Sequence, residues 1–327
     1  MKIACCGMIV CDLPMYPVPE YVMSMDLAII NPVKMTTGGD AVNVAKTLNI
    51  LGAEASLVGR IGADHNGDFV IRDIQSYGLS IDRIIRDADF PTSTSYHLID
   101  PKGKAHTVTY MPINEVLCGD DFHEETLSDA GIVYFGSALT FPKMDRGGIA
   151  ALFQKAHTAG AKTALDTALA VPATEVDMAC GANHLRDLEP ALRQTDIFIP
   201  SIVEAAYLSG TDIPKENAEI MRKFGIGIFG VKLGSKGCYI TDYINEYYIG
   251  AFEEFKAVDT VGAGDSFMGA FLFGISKGWD IETSGTFASL VSSFNVASVG
   301  STAGVPDLEK AKAYLADHRC QITKQGY

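Results

Sequence analysis

No run of three Lys or Arg residues occurs anywhere in the 327-residue chain, and 26 basic against 40 acidic side chains leave a formal net charge of −14. Nucleic acid and anionic membrane surfaces are both bound through basic patches, so neither is expected as a partner. The seven cysteines, Cys5, Cys6, Cys11, Cys118, Cys180, Cys238 and Cys320, are odd in number and irregularly spaced, with no C-x-x-C pair. That pattern argues against a structural zinc site or a disulfide framework and for reduced, mostly buried thiols in a cytoplasmic protein. No segment reaches 18 uninterrupted apolar residues. The N-terminal apolar stretch is interrupted by Gly7 and runs into Asp12; it is too short to span a bilayer and no small-residue cleavage site follows it. It reads as a first buried strand.

Several motifs are absent as well. No G-x-G-x-x-G follows the first strand, which disfavours a dinucleotide dehydrogenase, and no G-x-x-x-x-G-K-[ST] marks a P-loop enzyme. H-E-x-x-H is missing, and the seven His residues show no ligand spacing. Gly274-Ile275-Ser276-Lys277-Gly278 matches G-x-S-x-G in form. It falls at the end of an apolar helical stripe instead of on a strand-to-helix turn, so it is not read as a hydrolase nucleophile.

What is present is ordinary globular composition, 47% hydrophobic and 20% charged, long enough for about two units of roughly 150 residues or one large domain with an appendage. Strand-length apolar runs at Ile3–Val10, Ala55–Val58, Gly131–Phe135, Thr163–Leu165, Ile197–Ile199, Ile226–Lys232 and Cys238–Thr241 alternate with helix-period segments. The stripe Ala41, Val44, Ala45, Leu48, Leu51 ends at Gly52, Ile149–Gly160 repeats the pattern, and Phe267, Ala270, Phe271, Gly274 and Ile275 form another. Such alternation predicts a mostly parallel sheet covered by helices on both faces, with ligands at the carboxyl ends of the strands. Two stretches break the rhythm. Residues 13–37 are rich in Pro and Met, and residues 93–110 read as a hairpin, Ser93–Asp100 and Lys104–Tyr110 about the turn Pro101-Lys102-Gly103. They form either a small second layer, suited to a lid, or an edge extension of the main sheet.

The densest chemical signal is Asp259-Thr260-Val261-Gly262-Ala263-Gly264-Asp265-Ser266-Phe267, opening an apolar helix. Two glycines and an alanine let a ligand approach the backbone, and unpaired amides at a helix N-terminus suit phosphate oxygens. A carboxylate at Asp265 is then either a general base or a plain helix cap. Gly38-Gly39-Asp40-Ala41-Val42-Asn43 repeats the glycines-before-helix pattern, with an amide at Asn43 able to donate to and accept from a polyol, or simply to point outward. Leu233-Gly234-Ser235-Lys236-Gly237 is a tight turn between two strands.

Taken together, these segments resemble the ribokinase-like (PfkB) carbohydrate kinases, from Lys2 to about residue 315; the second signature comprises Gly38, Gly39, Asn43, Gly52, Gly59, Ile61-Gly62, Asp64 and Gly67. The resemblance implies a three-layer α/β/α core (residues 1–12, 38–92 and 111–327) with a small β-sheet lid (13–37 and 93–110) covering the substrate and contacting a second copy in a homodimer. It implies ATP and Mg²⁺ as cofactors, with Asp265 as catalytic base and Gly262, Ala263 and Gly264 as anion hole. It assigns Asp12, Gly38, Gly39 and Asn43 to the sugar, Lys232, Gly234, Ser235 and Gly237 to the nucleotide, and Glu204 to Mg²⁺ through water. A monovalent cation, K⁺ as candidate, would sit among Asp259, Val261, Asn295, Ser298, Gly300 and Gly304, largely on backbone carbonyls.

The sequence departs from the family at Ser201, where Asn is usual, and at Asp166-Thr167-Ala168, where D-x-N is common; Mg²⁺ or phosphate affinity is expected to differ accordingly. A phosphorylated substrate needs cationic partners. Residues 13–37 hold only Lys34, and Tyr110-Met111-Pro112-Ile113-Asn114 lacks an Arg. A neutral ketose or pentose is therefore favoured. A nucleoside, with Tyr16, Tyr96, Tyr110 and Met111 around the base, is the alternative; a non-catalytic sugar-binding regulator is the third reading, against which Asp265 argues.

Overall fold

The structure, a computed structural model, describes residues 1–102, 105–169 and 178–327. In the described residues fourteen strands fall into two sheets. They are β1 (Lys2–Cys6), β2 (Val10–Met15), β3 (Thr36–Gly38), β4 (Ala55–Gly62), β5 (Ile84–Asp87), β6 (Thr94–Ile99), β7 (Ala105–Tyr110), β8 (Ala130–Ala138), β9 (Lys162–Thr167), β10 (Ile197–Phe198), β11 (Ile228–Lys232), β12 (Cys238–Thr241), β13 (Asn245–Ile249) and β14 (Ile322–Gly326). The large sheet runs β14-β13-β12-β11-β10-β9-β8-β1-β4-β5. Its pairs from β5 to β11 are parallel, and β11 to β14 continue antiparallel.

Alternate side chains of its central strands enter two separate cores. Ile3 and Cys5 of β1 and Ile132 and Tyr134 of β8 pack on one side, Ala4, Cys6, Val133 and Phe135 on the other. Burial on both faces is why these strands are continuous apolar runs. Helices Asp40–Ile50, His65–Ser76, Ala263–Ser276 and Ile281–Asn295 cover the first face; Ile149–Thr158, Met178–Leu192, Ile202–Ser209 and Pro214–Arg222 cover the second. This is the three-layer α/β/α architecture expected.

The small sheet has the order β3-β2-β6-β7 and is separate from the large one, so the edge-extension alternative falls away. One boundary differs from the sequence reading. The apolar run Ile3–Val10 is not a single strand: β1 ends at Cys6, and β2 starts at Val10 in the small sheet. The break is at Gly7, whose φ is +133° and where a Cβ would lie 2.7 Å from the carbonyl oxygen of Gly136. Asp12 therefore stands on β2, not at the end of the first strand, and Gly38 closes β3 opposite Val10. The hairpin over 93–110 forms as β6 and β7; Gly103 of its expected turn and Lys104 of its expected second arm lie outside the described residues. Among the described residues no helix is long and apolar enough to cross a membrane.

Candidate active site

Four of the described helices begin with a side chain bonded to a first-turn amide. Asp64, Ser201, Asp280 and Asp307 each accept from an amide of their own first turn. The helices Asp40–Ile50 and Ala263–Ser276 instead begin at Gly39 and Gly262 with no side-chain cap. No side chain occupies their first-turn amides, which suits an anion, although Ala263 N already donates to Thr260 O at 3.2 Å. Glycine is required at 262, where φ is +73° and a Cβ would lie 2.1 Å from the carbonyl oxygen of Ser301. The two helices pack closely, a Cβ on Gly269 falling 2.9 Å from the side chain of Thr47, and this brings their first turns together.

At that junction Asn43 Nδ2 donates to Asp265 Oδ2 at 2.7 Å, and Ser301 Oγ donates to Asn43 Oδ1 at 2.9 Å. The Asp265 carboxylate thus points to the neighbouring helix and does not cap its own. Burial raises its pKa; Asn43 and Lys232 oppose that, and Glu204 adds to it. Asn43, read from sequence as a polyol ligand, is 5% exposed and uses one N–H and one lone pair within the protein.

A second carboxylate, Asp40, adjoins the first. Ser137 Oγ donates to its Oδ2 at 2.6 Å. Burial, then the charge of Asp265, pushes its pKa well above the ordinary range. Sequence reasoning passed over Asp40 as a site residue, although an acid between Gly39 and Asn43 was a visible signal.

Beside the Gly262–Gly264 turn, Lys232 Nζ donates to Asp166 Oδ2 at 2.5 Å and lies 3.3 Å from where a Cβ on Gly264 would be. Burial alone would lower the ammonium pKa, but Asp166 and Glu204 outweigh it. Asp166, 1% exposed, is itself raised to about 7 by burial against the pull of Lys232. Glu204 sits close by in a capping box: its Oε2 accepts from Ser201 N at 2.8 Å and Thr167 Oγ1 at 3.0 Å, and Ser201 Oγ accepts from Glu204 N at 3.3 Å.

Asp12 approaches from the small sheet. A Cβ on Gly38 would lie 2.0 Å from Asp12 Oδ2, so only glycine lets the carboxylate rest there. His97 Nε2 is 3.2 Å from Asp12 Oδ1, and His97 Nδ1 is 2.9 Å from Thr107 Oγ1. Nothing in the sequence marked His97, because its contact depends on β2 pairing with β6.

Lys232, Gly234, Ser235, Gly237, Ala263 and Gly264 line one cavity of about 450 Å³. Its far wall is largely apolar, with Phe252, Phe255 and Val296, and it has the size of a cofactor pocket. The residues of the expected cation loop lie on two mutually bonded segments. Asp259 Oδ1 accepts from Val261 N at 3.0 Å and its Oδ2 from Gly300 N at 2.9 Å. Asn295 donates to Ser301 O at 2.8 Å and accepts from Gly304 N at 3.2 Å, and Ser298 N donates to Asn295 O at 3.1 Å. A Cβ on Gly304 would fall 2.5 and 2.7 Å from the carbonyl oxygens of Phe294 and Asn295, so carbonyls converge there.

Comparison with known proteins matches this arrangement. Residues 2–308 fit the model of the pfkB family carbohydrate kinases. A sugar kinase of Archaeoglobus fulgidus is 28% identical over 259 residues, 79% of this chain and 98% of that protein. The ribokinase of Staphylococcus aureus is 26% identical over 281 residues, 84% of this chain and 86% of that one. A ribokinase II of E. coli, solved in complex with ATP and Mg²⁺, superposes with a TM-score of 0.80 at 18% identity, covering 97% of this chain and 99% of that one. The chain belongs to the pfkB family of carbohydrate kinases and is a sugar kinase, a phosphotransferase with an alcohol group as acceptor.

Proposed function

We propose that this kinase transfers the γ-phosphoryl group of MgATP to a hydroxyl of a small neutral sugar, a ketose or a pentose. The observation that carries the reading is the Asp265 carboxylate, hydrogen-bonded to Asn43 at 2.7 Å and set in the first turn of a helix that no side chain caps. Asp265 takes the proton of the attacking hydroxyl. The backbone of Gly262, Ala263 and Gly264, with Lys232 beside it, holds the charge that develops on the transferring phosphoryl group. The cavity between the glycine loop and Phe252 takes the nucleotide; the E. coli protein of the same fold was solved in complex with ATP and Mg²⁺.

Mg²⁺, when bound to the phosphates, supplies neutralisation of their charge. Glu204 fits the indirect contact expected of it: Oε2 is used by the capping box, which leaves Oε1 for a water. The converging carbonyls around Gly304 and the Asp259–Gly300 bond fit a monovalent cation loop beside the anion hole, and K⁺ is the proposed ion. The free thiols of Cys5, Cys6, Cys11, Cys118, Cys238 and Cys320 agree with a reducing, cytoplasmic setting.

A neutral acceptor is favoured by the charges around the site. Asp12, Asp40 and Asp265 are acids, while Lys232 is paired with Asp166 and Lys46 with Asp73 at 3.1 Å. A phosphorylated or carboxylated sugar would meet repulsion with no uncommitted ammonium from this set to offset it. The nucleoside alternative is weakened by register. Asp12 pairs with Ser95, whereas Tyr96 pairs with Val108 and Thr94 with Tyr110. Side chains alternate along a strand, so Tyr96 and Tyr110 fall on the face opposite Asp12. The test is a coupled ADP-release assay over neutral ketoses and pentoses, nucleosides, sugar phosphates and sugar acids. Turnover confined to the neutral sugars is expected; preference for an anionic sugar or a nucleoside would overturn the reading.

A further inference from the structure

We propose that His97 is the positioning residue for Asp12 and makes the affinity for the sugar acceptor, not the turnover number, depend on pH. The inference rests on Asp12 being an acceptor ligand. A carboxylate on a single strand of a small sheet needs a fixed rotamer before it can select hydroxyl positions. Here both oxygens are located: Oδ1 lies 3.2 Å from His97 Nε2, and Oδ2 lies against Gly38. The imidazole is in turn located by Thr107 Oγ1, 2.9 Å from Nδ1. Asp12, His97 and Thr107 thus form one side-chain path across β2, β6 and β7, beside the Ser95–Thr109 hydroxyl contact of 3.0 Å that also links β6 to β7.

The path survives either charge state of the ring. In the neutral form Nε2–H donates to Asp12 and Nδ1 accepts from the threonine hydroxyl. In the protonated form both nitrogens donate, and the bond to the Asp12 carboxylate becomes an ion pair. The charged groups that act on His97 favour the cation: Asp12 from β2 and Asp259 from the loop before helix Ala263–Ser276. The Thr107 hydroxyl from β7 can serve either form of the ring. Lys46, the ammonium that senses Asp12, is itself held by Thr37 O at 3.2 Å and Asp73 at 3.1 Å. The hydrogen bond that His97 donates to Asp12 raises the His97 pKa above its ordinary value of 6.5; burial opposes it, and the charges of Asp12 and Asp259 add to it. The sign follows: the extra hold on Asp12 is complete below the ordinary imidazole range and is lost as pH rises through the raised pKa. Because the acceptor binds best to the carboxylate so held, its binding draws the ring further toward the cation, and acceptor KM is lower on the acid side and higher on the alkaline side.

The experiment measures initial rates between pH 6 and pH 9 with D-fructose or D-ribose, whichever is turned over, for wild type, His97→Gln, His97→Ala and Asp12→Asn. Imidazole NMR of the same proteins reads the His97 pKa without any acceptor. In the wild type, acceptor KM is expected to rise about tenfold from acid to alkaline pH. MgATP KM should stay within about twofold. His97→Gln, which keeps a neutral donor, should flatten the profile and hold KM between the two plateaus. His97→Ala should fix KM at or above the alkaline plateau, and Asp12→Asn should lower the His97 pKa. A His97→Ala enzyme that keeps the wild-type KM profile overturns the inference, as does a pH effect carried by MgATP KM instead. If Asp12→Asn leaves acceptor KM unchanged, Asp12 is not an acceptor ligand, and that part of the functional reading falls together with the inference. If Asp12→Asn raises KM while both His97 variants behave as wild type, only the inference falls.

Discussion

Asp265 is under two opposed demands, and one substitution separates them. As a base it must be ionised, yet burial raises its pKa, so holding the charge in place costs the folded state free energy. A carboxyl raised in the folded protein stabilises it below the ordinary carboxylate pKa and loses that contribution as pH rises through the raised value. Asp265→Asn should therefore leave stability at pH 7 equal to or above wild type, because no cap is lost and a buried charge is removed. Its kcat should fall by at least about a hundredfold, since general-base catalysis is worth about 10²–10⁴. A loss of melting temperature with retained turnover would restore the helix-cap reading. Asp40 extends the argument. Two adjacent acids titrate as a pair, with apparent ionisations that belong to both, so the pH profile of kcat should show two ionisations in the wild type and one in Asp40→Asn. An identical profile in the variant would mean the two carboxylates do not communicate. At this scale the motif residues were legible because their chemistry is local: Asp265 and Asn43 stand in glycine-led first turns. Glu204 was reached only through the resemblance, although Ser201-Ile202-Val203-Glu204 is also a capping-box pattern, whose two hydrogen bonds are present. His97 was not legible, because its partner is 85 positions away in the chain (97 minus 12) and only strand pairing brings them together.

The elements that make the site are two helix N-termini without side-chain caps, and the glycine at the start of one of them can be tested against a matched control. Gly262 and Gly278 flank the same helix, with φ of +73° and +79°. Alanine at either pays about 1–2 kcal/mol for a left-handed backbone. Only at Gly262 does the new Cβ also meet an atom, the Ser301 carbonyl oxygen at 2.1 Å, whereas nothing lies within 4 Å at Gly278. Gly262→Ala should thus lose more stability than Gly278→Ala and, by displacing the anion hole, drop kcat at least about tenfold; Gly278→Ala should keep wild-type turnover. Equal effects of the two on thermal unfolding and kcat would show that the clash does not matter. The large sheet was readable where strands are buried on both faces, since they become unbroken apolar runs. Three of its strands were missed for the converse reason. β14 is exposed along its whole length, β5 is mostly half-buried, and β13 mixes Asn245 and Glu246 with tyrosines, so none presents an apolar run. The passage of the chain from one sheet to the other between Cys6 and Val10 was hidden because Ile9, Val10 and Cys11 are as buried as β1 itself.

On the scale of the whole molecule, charge and exposed apolar surface act in opposite directions, and their competition can be measured. The chain carries −14, so two copies repel at long range. Yet the stretch leading from β2 to β3 exposes Met23 (94%), Ile29 (87%) and Leu27 (75%), with Tyr21 beside them and Val108 and Tyr110 exposed on β7. Monomeric proteins seldom leave apolar residues so concentrated, and we expect this region to bury them against a second copy. Light scattering at micromolar concentration should return twice the monomer mass. Ile29→Glu combined with Leu27→Glu should return the monomer without disturbing the fold, because both side chains are exposed in the single chain. Salt gives an independent check of sign. Screening shortens the reach of the like charges to about 10 Å at 0.1 M and about 3 Å at 1 M, while apolar burial does not weaken, so association should tighten as ionic strength rises. An interface held by ion pairs would loosen over the same range, and a monomer at every salt concentration would show that the exposed residues serve something other than self-association.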